Sequence, residues 1–229
     1  MGEQRLPHWE SVAVVIAHPD DESFGLGAVI DSFVRAGARV RVVCLTQGEA
    51  STLAPSDGLL SAVRAAELED AAEALGVERA DLLGFPDGRL ADIPVEELLG
   101  EVIATLEPAQ GLLAFDPSGV TGHPDHVRAT EVAVDIARGW GCGLLGWTIP
   151  RDVAEALRRE TQAGFVGHAA GEIDITLRVE RDVQRRAIEA HRSQAVPGSA
   201  LWRRLELFGE REHLRWIVGP DGRPPAGPM

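Results

Sequence analysis

The sequence has 229 residues, 45% hydrophobic and 25% charged, a balance typical of a globular protein with a substantial core. Its net charge of −14 argues against a nucleic-acid partner, and it contains no run of about 18 apolar residues that could span a membrane. Lys, Tyr and Asn are absent, which excludes lysine Schiff bases, phosphate-binding P-loops and tyrosine acids or bases.

The alternation of apolar and amphipathic segments predicts the fold class. Strands are predicted at residues 11–17, 39–45, 80–85 and 111–115, and helices at 20–36, 61–75, 94–106 and 124–138. Four strand–helix alternations indicate an α/β fold, a Rossmann-like doubly wound sheet that is mostly parallel and has helices on both faces.

The rest of the chain has a less regular pattern. Strands are predicted at 143–149 and 172–179, and helices at 151–161 and 180–192. We expect one domain over residues 1–229, built from a Rossmann-like core at 1–139 and a small C-terminal α+β extension at 140–229.

The two cysteines and the N-terminus bear on the cellular compartment. Cys44 and Cys142 are too few for a disulfide framework, and their apolar or glycine-rich neighbours predict buried thiols in a reducing compartment. Residues 1–10 lack the apolar stretch of a secretory signal. We therefore expect a cytoplasmic protein without a membrane partner.

Residues 18–22, His-Pro-Asp-Asp-Glu, directly follow the first predicted strand. In open parallel sheets, ligands bind beyond the carboxyl ends of the strands, where this segment lies. Acidic residues in a first helical turn complement the helix dipole, which is an ordinary structural explanation for the charges. That explanation does not account for a histidine beside two adjacent aspartates, so the segment is a candidate site.

A second His-Pro-Asp sequence, residues 123–125, follows the fourth predicted strand and continues into His126. Two junctions between strand and helix thus present imidazole and carboxylate groups at the same edge of the sheet. Two histidines and one carboxylate form a recurring catalytic zinc set with one position left for water, and Fe²⁺ or Mn²⁺ also occupies such sets.

Together, the segments at 18–22 and 123–126 resemble the LmbE/PIG-L family of zinc-dependent N-deacetylases, and the resemblance runs over most of the chain. It implies one Zn²⁺ per chain, with Fe²⁺ or Mn²⁺ left open. The implied metal ligands are His18, Asp21 and His126, and the implied catalytic residues are Asp20 as general base, His123 as stabiliser of the tetrahedral intermediate and proton donor to the amine, and Asp125 as the group that orients His123.

The resemblance also implies substrate contacts by Glu49, Arg64, Asp87, Thr121 and His191. Thr121 stands where some members have a tyrosine. Simpler explanations remain for three of these residues. Arg64 and Glu67 have the spacing of a helical ion pair, Asp87 suits a turn, and His191 suits a helix end.

The function implied is hydrolysis of an N-acetyl or N-acyl group on an amino-sugar conjugate such as an N-acetylglucosamine derivative. An alternative is a metal-dependent hydratase or lyase of a small unsaturated dicarboxylate, with Arg64 and Arg89 as candidate carboxylate contacts. A nucleotide-binding module is disfavoured because the first turn is acidic and lacks Gly-x-Gly-x-x-Gly. The expected partner is a small molecule; association into a homo-oligomer is left open.

Overall fold

The computed structural model describes residues 5–53, 59–161 and 163–223, so the first four residues of the segment tested for a secretory signal lie outside it. A seven-stranded sheet in the order β3-β2-β1-β4-β5-β7-β6 organises this part of the chain. The strands are β1 Ser11–Ile16, β2 Arg39–Thr46, β3 Arg79–Phe85, β4 Gly111–Phe115, β5 Gly143–Trp147, β6 Ile175–Arg178 and β7 Arg211–Val218.

The two central strands, β1 and β4, are apolar because helices cover both faces of the sheet. β1 pairs in parallel with β2 on one side and with β4 on the other, with Val14 opposite both Val42 and Leu113. The strand order reverses between β1 and β4. In open α/β sheets such a reversal creates a crevice at the carboxyl ends of the strands, where ligands bind.

Helices follow most strands and bury one stripe each against the sheet. They are α1 Asp21–Phe24, α2 Gly27–Arg35, α3 Leu60–Leu75, α4 Val95–Thr105, α5 Gly119–Gly122, α6 Pro124–Trp140, α7 Arg151–Thr161, α8 Asp182–Ala190 and α9 Ala200–Phe208. Short 3₁₀ turns occur at Leu90–Asp92 and Ala170–Glu172. Within the described ranges, no helix combines the length and the apolar character needed to cross a membrane.

The helix predicted for residues 20–36 is divided in the structure into α1 and α2. The chain passes over the end of β4 at Gly25, where a Cβ atom would lie 2.3 Å from Phe115 Cε1. A glycine is therefore required for this close approach. The helix predicted for 61–75 is α3, and it ends at Gly76 in the left-handed conformation.

The C-terminal extension continues the same sheet. β7 pairs antiparallel with β5, and β6 pairs antiparallel with β7 at the sheet edge. The fold is thus α/β with a mostly parallel sheet, as the sequence predicts. Both cysteines are free and buried, in agreement with their assignment as core thiols.

Candidate active site

The junctions that follow β1, β2, β3 and β4 surround one cavity of about 410 Å³ at the carboxyl edge of the sheet. Two larger clefts, of about 720 and 740 Å³, lie elsewhere and contain none of the clustered residues from the two His-Pro-Asp segments. The cavity is lined by His18, Asp20, Asp21, Arg64, Asp87, His123 and His126, with Leu53 and Leu201 on its apolar side.

His18, Asp21 and His126 come together although the two segments are more than 100 positions apart in sequence. Their ligand atoms all lie within 4.8 Å of one another. His126 Nε2 lies 3.2 Å from Asp21 Oδ1 and 3.1 Å from His18 Nδ1. The carboxylate is fixed from behind, because Asp21 Oδ2 accepts hydrogen bonds from the backbone N–H groups of Ala17 and His18.

The outer nitrogens of both imidazoles already have partners. His126 Nδ1 lies 3.2 Å from the carbonyl oxygen of Gly119, and His18 Nε2 lies 3.1 Å from Asp87 Oδ1. If these outer nitrogens carry the protons, two lone pairs face each other across 3.1 Å. Such a pair is stable only with a proton or a metal cation between the rings. Outer partners of this kind are typical of histidines that bind metals.

The charge around His18 favours a cation at the same position. Burial opposes protonation of its ring, but the carboxylates of Asp125, Asp87 and Asp21 raise the pKa of His18 to about 10. Burial also opposes ionisation of Asp21, yet His126 and His18 hold the pKa of its carboxyl well below the usual range. The donor types, their spacing and this excess of negative charge fit a divalent metal that displaces the proton.

A second set of potential ligands, His18, His123 and Asp125, overlaps the first. Its atoms are already engaged: the Asp125 carboxylate accepts hydrogen bonds from the backbone N–H groups of Gly88 and Leu90, at 2.8 and 3.1 Å. The first set, with two nitrogens and one carboxylate oxygen facing inward, is therefore the better metal site.

Asp20 lies beside this set with its carboxylate 3.1 Å from Arg64 Nη2. Arg64 also donates to the carbonyl oxygens of Gly48 and Pro19, so it does not form the helical ion pair with Glu67 that is its simpler explanation. Burial raises the pKa of Asp20 to about 6, with Arg64 acting in the opposite direction and Asp21 adding to the increase. A carboxylate of this pKa is suited to accept a proton near neutral pH.

The backbone of Asp20 has φ 143° and ψ −20°, a region that favours glycine. A non-glycine residue in such a conformation costs on the order of 1–3 kcal/mol and persists only where its surroundings hold it. Conformational strain thus occurs at the residue next to Asp21, a candidate metal ligand.

His123 lines the cavity, and its ring centroid lies 4.9 Å from those of His18 and His126. Here the structure differs from the expectation that the Asp125 carboxylate orients His123. That carboxylate lies against His18, and the backbone N–H of Asp125 donates to His123 Nδ1 at 3.2 Å. Burial and the neighbouring imidazoles of His18 and His126 lower the pKa of His123. The neutral ring therefore carries its proton on Nε2.

The expected substrate contacts divide into two groups. Arg64 and Asp87 line the cavity, and Asp87 accepts a hydrogen bond from the backbone of Ala50. Glu49 is exposed and accepts from the backbone N–H of Asp87, so it holds the neighbouring turn. Thr121 is exposed at the end of α5 and is not among the cavity residues.

His191 lies behind the cavity rather than in its wall. It is fully buried, and its Nε2 lies 2.5 Å from Glu22 Oε1. Glu67 is nearby and accepts hydrogen bonds from the backbone and hydroxyl of Ser193. Sequence reasoning left the function of Glu22 open and gave none to Glu67; their helical positions carried no signal for contacts with residues more than 120 positions away.

Fold and site together define a class of protein: an α/β protein with two histidines, one carboxylate and an adjacent potential base at the crevice of a parallel sheet. The PIG-L family model, described as GlcNAc-PI de-N-acetylase, matches residues 13–137, which include every residue of the two His-Pro-Asp segments. The chain belongs to this family, which confirms the resemblance inferred from the motifs.

Individual proteins agree with this assignment. The 1D-myo-inositol 2-acetamido-2-deoxy-alpha-D-glucopyranoside deacetylase of Kineococcus radiotolerans is 32% identical, over 96% of this chain and 81% of that protein. N,N'-diacetylchitobiose deacetylase from Pyrococcus horikoshii shares the fold, with a TM-score of 0.65, 23% identity and coverage of 93% and 85%. So does a 4-carboxy-2-hydroxymuconate hydratase from Pseudomonas putida, with a TM-score of 0.62, 18% identity and coverage of 92% and 97%. The fold therefore does not by itself select one reaction.

Proposed function

We propose that this protein is a metal-dependent N-deacetylase that hydrolyses the N-acetyl group of an amino-sugar conjugate such as an N-acetylglucosamine derivative. The observation that carries the proposal is the convergence of His18, Asp21 and His126 within 4.8 Å, beside the strained and half-buried Asp20. Membership of a de-N-acetylase family supports the reaction. Full-length similarity to a deacetylase of a glucosamine–inositol conjugate supports the substrate class.

His18, Asp21 and His126 are the proposed metal ligands, and Zn²⁺ is the proposed ion, with Fe²⁺ and Mn²⁺ as competitors that accept the same donors. A divalent cation bound there lowers the pKa of water and polarises an amide carbonyl. The backbone bonds to Asp21 and the outer partners of both imidazoles hold the three donors in place before an ion arrives.

Asp20 is the proposed general base. Its carboxylate accepts a proton from the attacking water, and Arg64 fixes its orientation at 3.1 Å. His123 is the proposed donor to the developing oxyanion through Nε2–H, because its Nδ1 already accepts from the backbone of Asp125. Its predicted role as proton donor to the amine requires the doubly protonated ring; the charge of Asp125 acts in that direction, whereas burial and the imidazoles of His18 and His126 act against it. Asp125 is thus proposed to act on His123 through its backbone and its charge.

For the substrate, Asp87 is proposed to contact sugar hydroxyls from the cavity wall, and Arg64, whose guanidinium is engaged with Asp20, is proposed to act on the substrate through that carboxylate. Glu49 and Thr121 do not line the cavity, and we propose that they contribute to substrate binding at its rim. Glu49 would do so through its hydrogen bond to the turn at Asp87. A small molecule, rather than nucleic acid or a membrane, is the proposed partner. The two buried free thiols support a cytoplasmic location.

The hydratase alternative is disfavoured by the arginines. A dicarboxylate substrate needs cationic side chains that are free to bind it. Among the described cavity residues Arg64 is the single arginine, and it already pairs with Asp20 and two backbone carbonyls. Arg89 points to solvent, with its side chain 69% exposed and paired with Asp92.

The test is acetate and amine release from a panel of N-acetylglucosaminides that includes the inositol conjugate and N,N'-diacetylchitobiose. We expect equal amounts of acetate and free amine, loss of activity after chelation, and recovery with Zn²⁺. Hydration of an unsaturated dicarboxylate without acetate release from any panel member would reject the deacetylase and favour the hydratase.

A further inference from the structure

We infer that Glu22 and His191 are positioning residues, which hold the backbone of Asp20 in the conformation that aims its carboxylate into the cavity. The inference depends on the proposed function for its catalytic consequence alone. That Glu22 and His191 hold the Asp20 backbone concerns hydrogen bonds within this chain and can be tested without an activity measurement.

The backbone of Asp20 has an unusual conformation. The φ of Asp20 is 143°, and its N–H faces the side chain of Glu22 in the first turn of α1. Glu22 Oε2 accepts that N–H at 3.0 Å. Because a non-glycine residue returns to negative φ unless its surroundings prevent it, this bond opposes relaxation of the one residue proposed as the base.

Burial and hydrogen bonds also fix the side chain of Glu22. Its side chain is fully buried, and its other oxygen accepts from the Ser23 hydroxyl and from His191 Nε2, each at 2.5 Å. A buried carboxylate with three donors is held in one orientation, since any rotation leaves a charged oxygen unpaired. His191 is also fully buried, at the end of α8, so its ring contacts Glu22 rather than substrate.

Further side chains from α8 and α9 form hydrogen bonds with α1. Gln184 Nε2 donates to the carbonyl oxygens of Ser23 and Phe24, at 3.0 and 3.3 Å, and Arg204 donates to the Phe24 carbonyl. Side chains from α8 and α9 thus hold the whole turn that follows β1. Of these contacts, the one through Glu22 reaches the Asp20 backbone directly, and this distinguishes positioning of the base from general support of the fold.

Two side chains hold Asp20. Arg64 pairs with its carboxylate at 3.1 Å and also donates to the Pro19 carbonyl of the preceding peptide, and Glu22 accepts the N–H of that peptide at 3.0 Å. Loss of the Glu22 bond weakens the restraint on φ and shifts the carboxylate relative to the proposed metal ligands. A displacement of about 1 Å in a reacting group costs roughly 100-fold in rate.

The experiment compares Glu22→Ala, Glu22→Gln, His191→Leu and His191→Gln with Val102→Ala. Val102 is fully buried in α4 and contacts neither α1 nor α8 through any hydrogen bond, so its truncation lowers stability without reaching Asp20. Gln at position 22 keeps one acceptor oxygen, and Gln at 191 places an N–H near His Nε2. We expect Glu22→Gln to be more active than Glu22→Ala, and His191→Gln to be more active than His191→Leu.

In kinetic terms, we expect Glu22→Ala to lower kcat about 100-fold, with KM and bound metal changed less than about twofold. His191→Leu should lower kcat roughly tenfold, because Glu22 then loses one of three donors. In an Asp20→Asn background, Glu22→Ala should have little further effect, because both changes act on the same group. If the double variant instead lost kcat by the full product of the two single-variant losses, the inference would be overturned.

Hydrogen exchange of the Asp20 amide gives a readout that does not depend on activity. We expect exchange at least about tenfold faster in Glu22→Ala than in wild type, and unchanged in Val102→Ala. Unchanged exchange in Glu22→Ala would overturn the inference. Faster exchange with an unchanged kcat would overturn the catalytic half and leave the proposed function intact. If wild type released no acetate, the proposed function would fail, and exchange alone would decide whether Glu22 holds the backbone.

Discussion

At the scale of single residues, Asp20 and Asp21 are neighbours in the chain with opposite surroundings. Asp21 faces the imidazoles of His126 and His18, which keep it ionised. Asp20 is part-buried, and burial raises its pKa to about 6 in spite of Arg64. Position alone thus gives two carboxylates of the same type the charge states that suit their proposed roles, an anionic metal ligand and a proton acceptor.

Substitutions at Asp20 and His18 should separate these two tasks. We expect Asp20→Asn to retain metal and to lose activity by a factor of roughly 10² to 10⁴, the usual contribution of a general base. His18→Ala should lose the metal itself, because one of three ligands is removed. Metal content after dialysis and initial rates of acetate release measure both. Normal turnover in Asp20→Asn would remove that residue as the base.

His213 should make stability depend on pH in the acidic range. Burial lowers its pKa in the fold, so the neutral ring is favoured there and the unfolded chain takes up a proton first. The contribution of His213 is thus present above the unfolded pKa of about 6.5 and is lost as pH falls through the lower folded value. We expect wild type to lose more stability than His213→Gln between about pH 8 and pH 5 in urea titrations. A constant difference between the two proteins would contradict this sign.

At the scale of secondary structure, the sequence predicts the parallel half of the sheet because its strands are apolar and its helices are amphipathic. It does not predict β7 or α9. Along β7 the inward positions include Glu212, which is fully buried, so the alternation of apolar residues is interrupted by a charge. Only the folded structure brings Arg181 and the Trp147 indole N–H to that carboxylate.

The site follows the same division between local and distant information. The proximity of His18, Asp21 and His126 is predictable because each of their segments follows a strand, and parallel strands end at one edge of the sheet. The pairing of Arg64 with Asp20, and of Glu22 with His191, is not predictable from spacing, because the partners lie on different elements. The close approach of Gly25, between α1 and α2, to the ring of Phe115 likewise involves a partner distant in sequence.

Glu212 should be a strong determinant of the stability of the C-terminal strands. We expect Glu212→Ala to lower the free energy of unfolding by about 3–5 kcal/mol, because Arg181 and Arg204 are left as buried cations without their carboxylate. Glu210→Ala is the matched control: its pair with Arg178 is exposed and contributes about 1 kcal/mol or less. Chemical denaturation measures both, and equal losses would contradict the role of the buried charge.

At the scale of the whole molecule, side chains beyond residue 139, in the expected C-terminal extension, form hydrogen bonds with the turn that follows β1. The matched family segment ends at residue 137, yet Gln184, His191 and Arg204 hold α1 from outside it. The extension is thus connected to the site through hydrogen bonds as well as through the sheet. Because the proposed ligands sit on two distant junctions, an ion bound by them would join β1 to β4 across the point where strand order reverses.

Metal binding should therefore raise the stability of the entire fold. An ion that binds the folded chain alone, at 100 times its dissociation constant, adds about 2.7 kcal/mol, which raises the thermal midpoint of a domain of this size by roughly 5–10 °C. We expect Zn²⁺ to produce such a shift in chelator-treated wild type and in Asp20→Asn, but not in His18→Ala. Val102→Ala should start from a lower midpoint and still show the full shift, since its side chain does not line the cavity that contains the proposed ligands. A full shift in His18→Ala would mean that the stabilising ion binds elsewhere, and the assignment of His18, Asp21 and His126 would have to be abandoned.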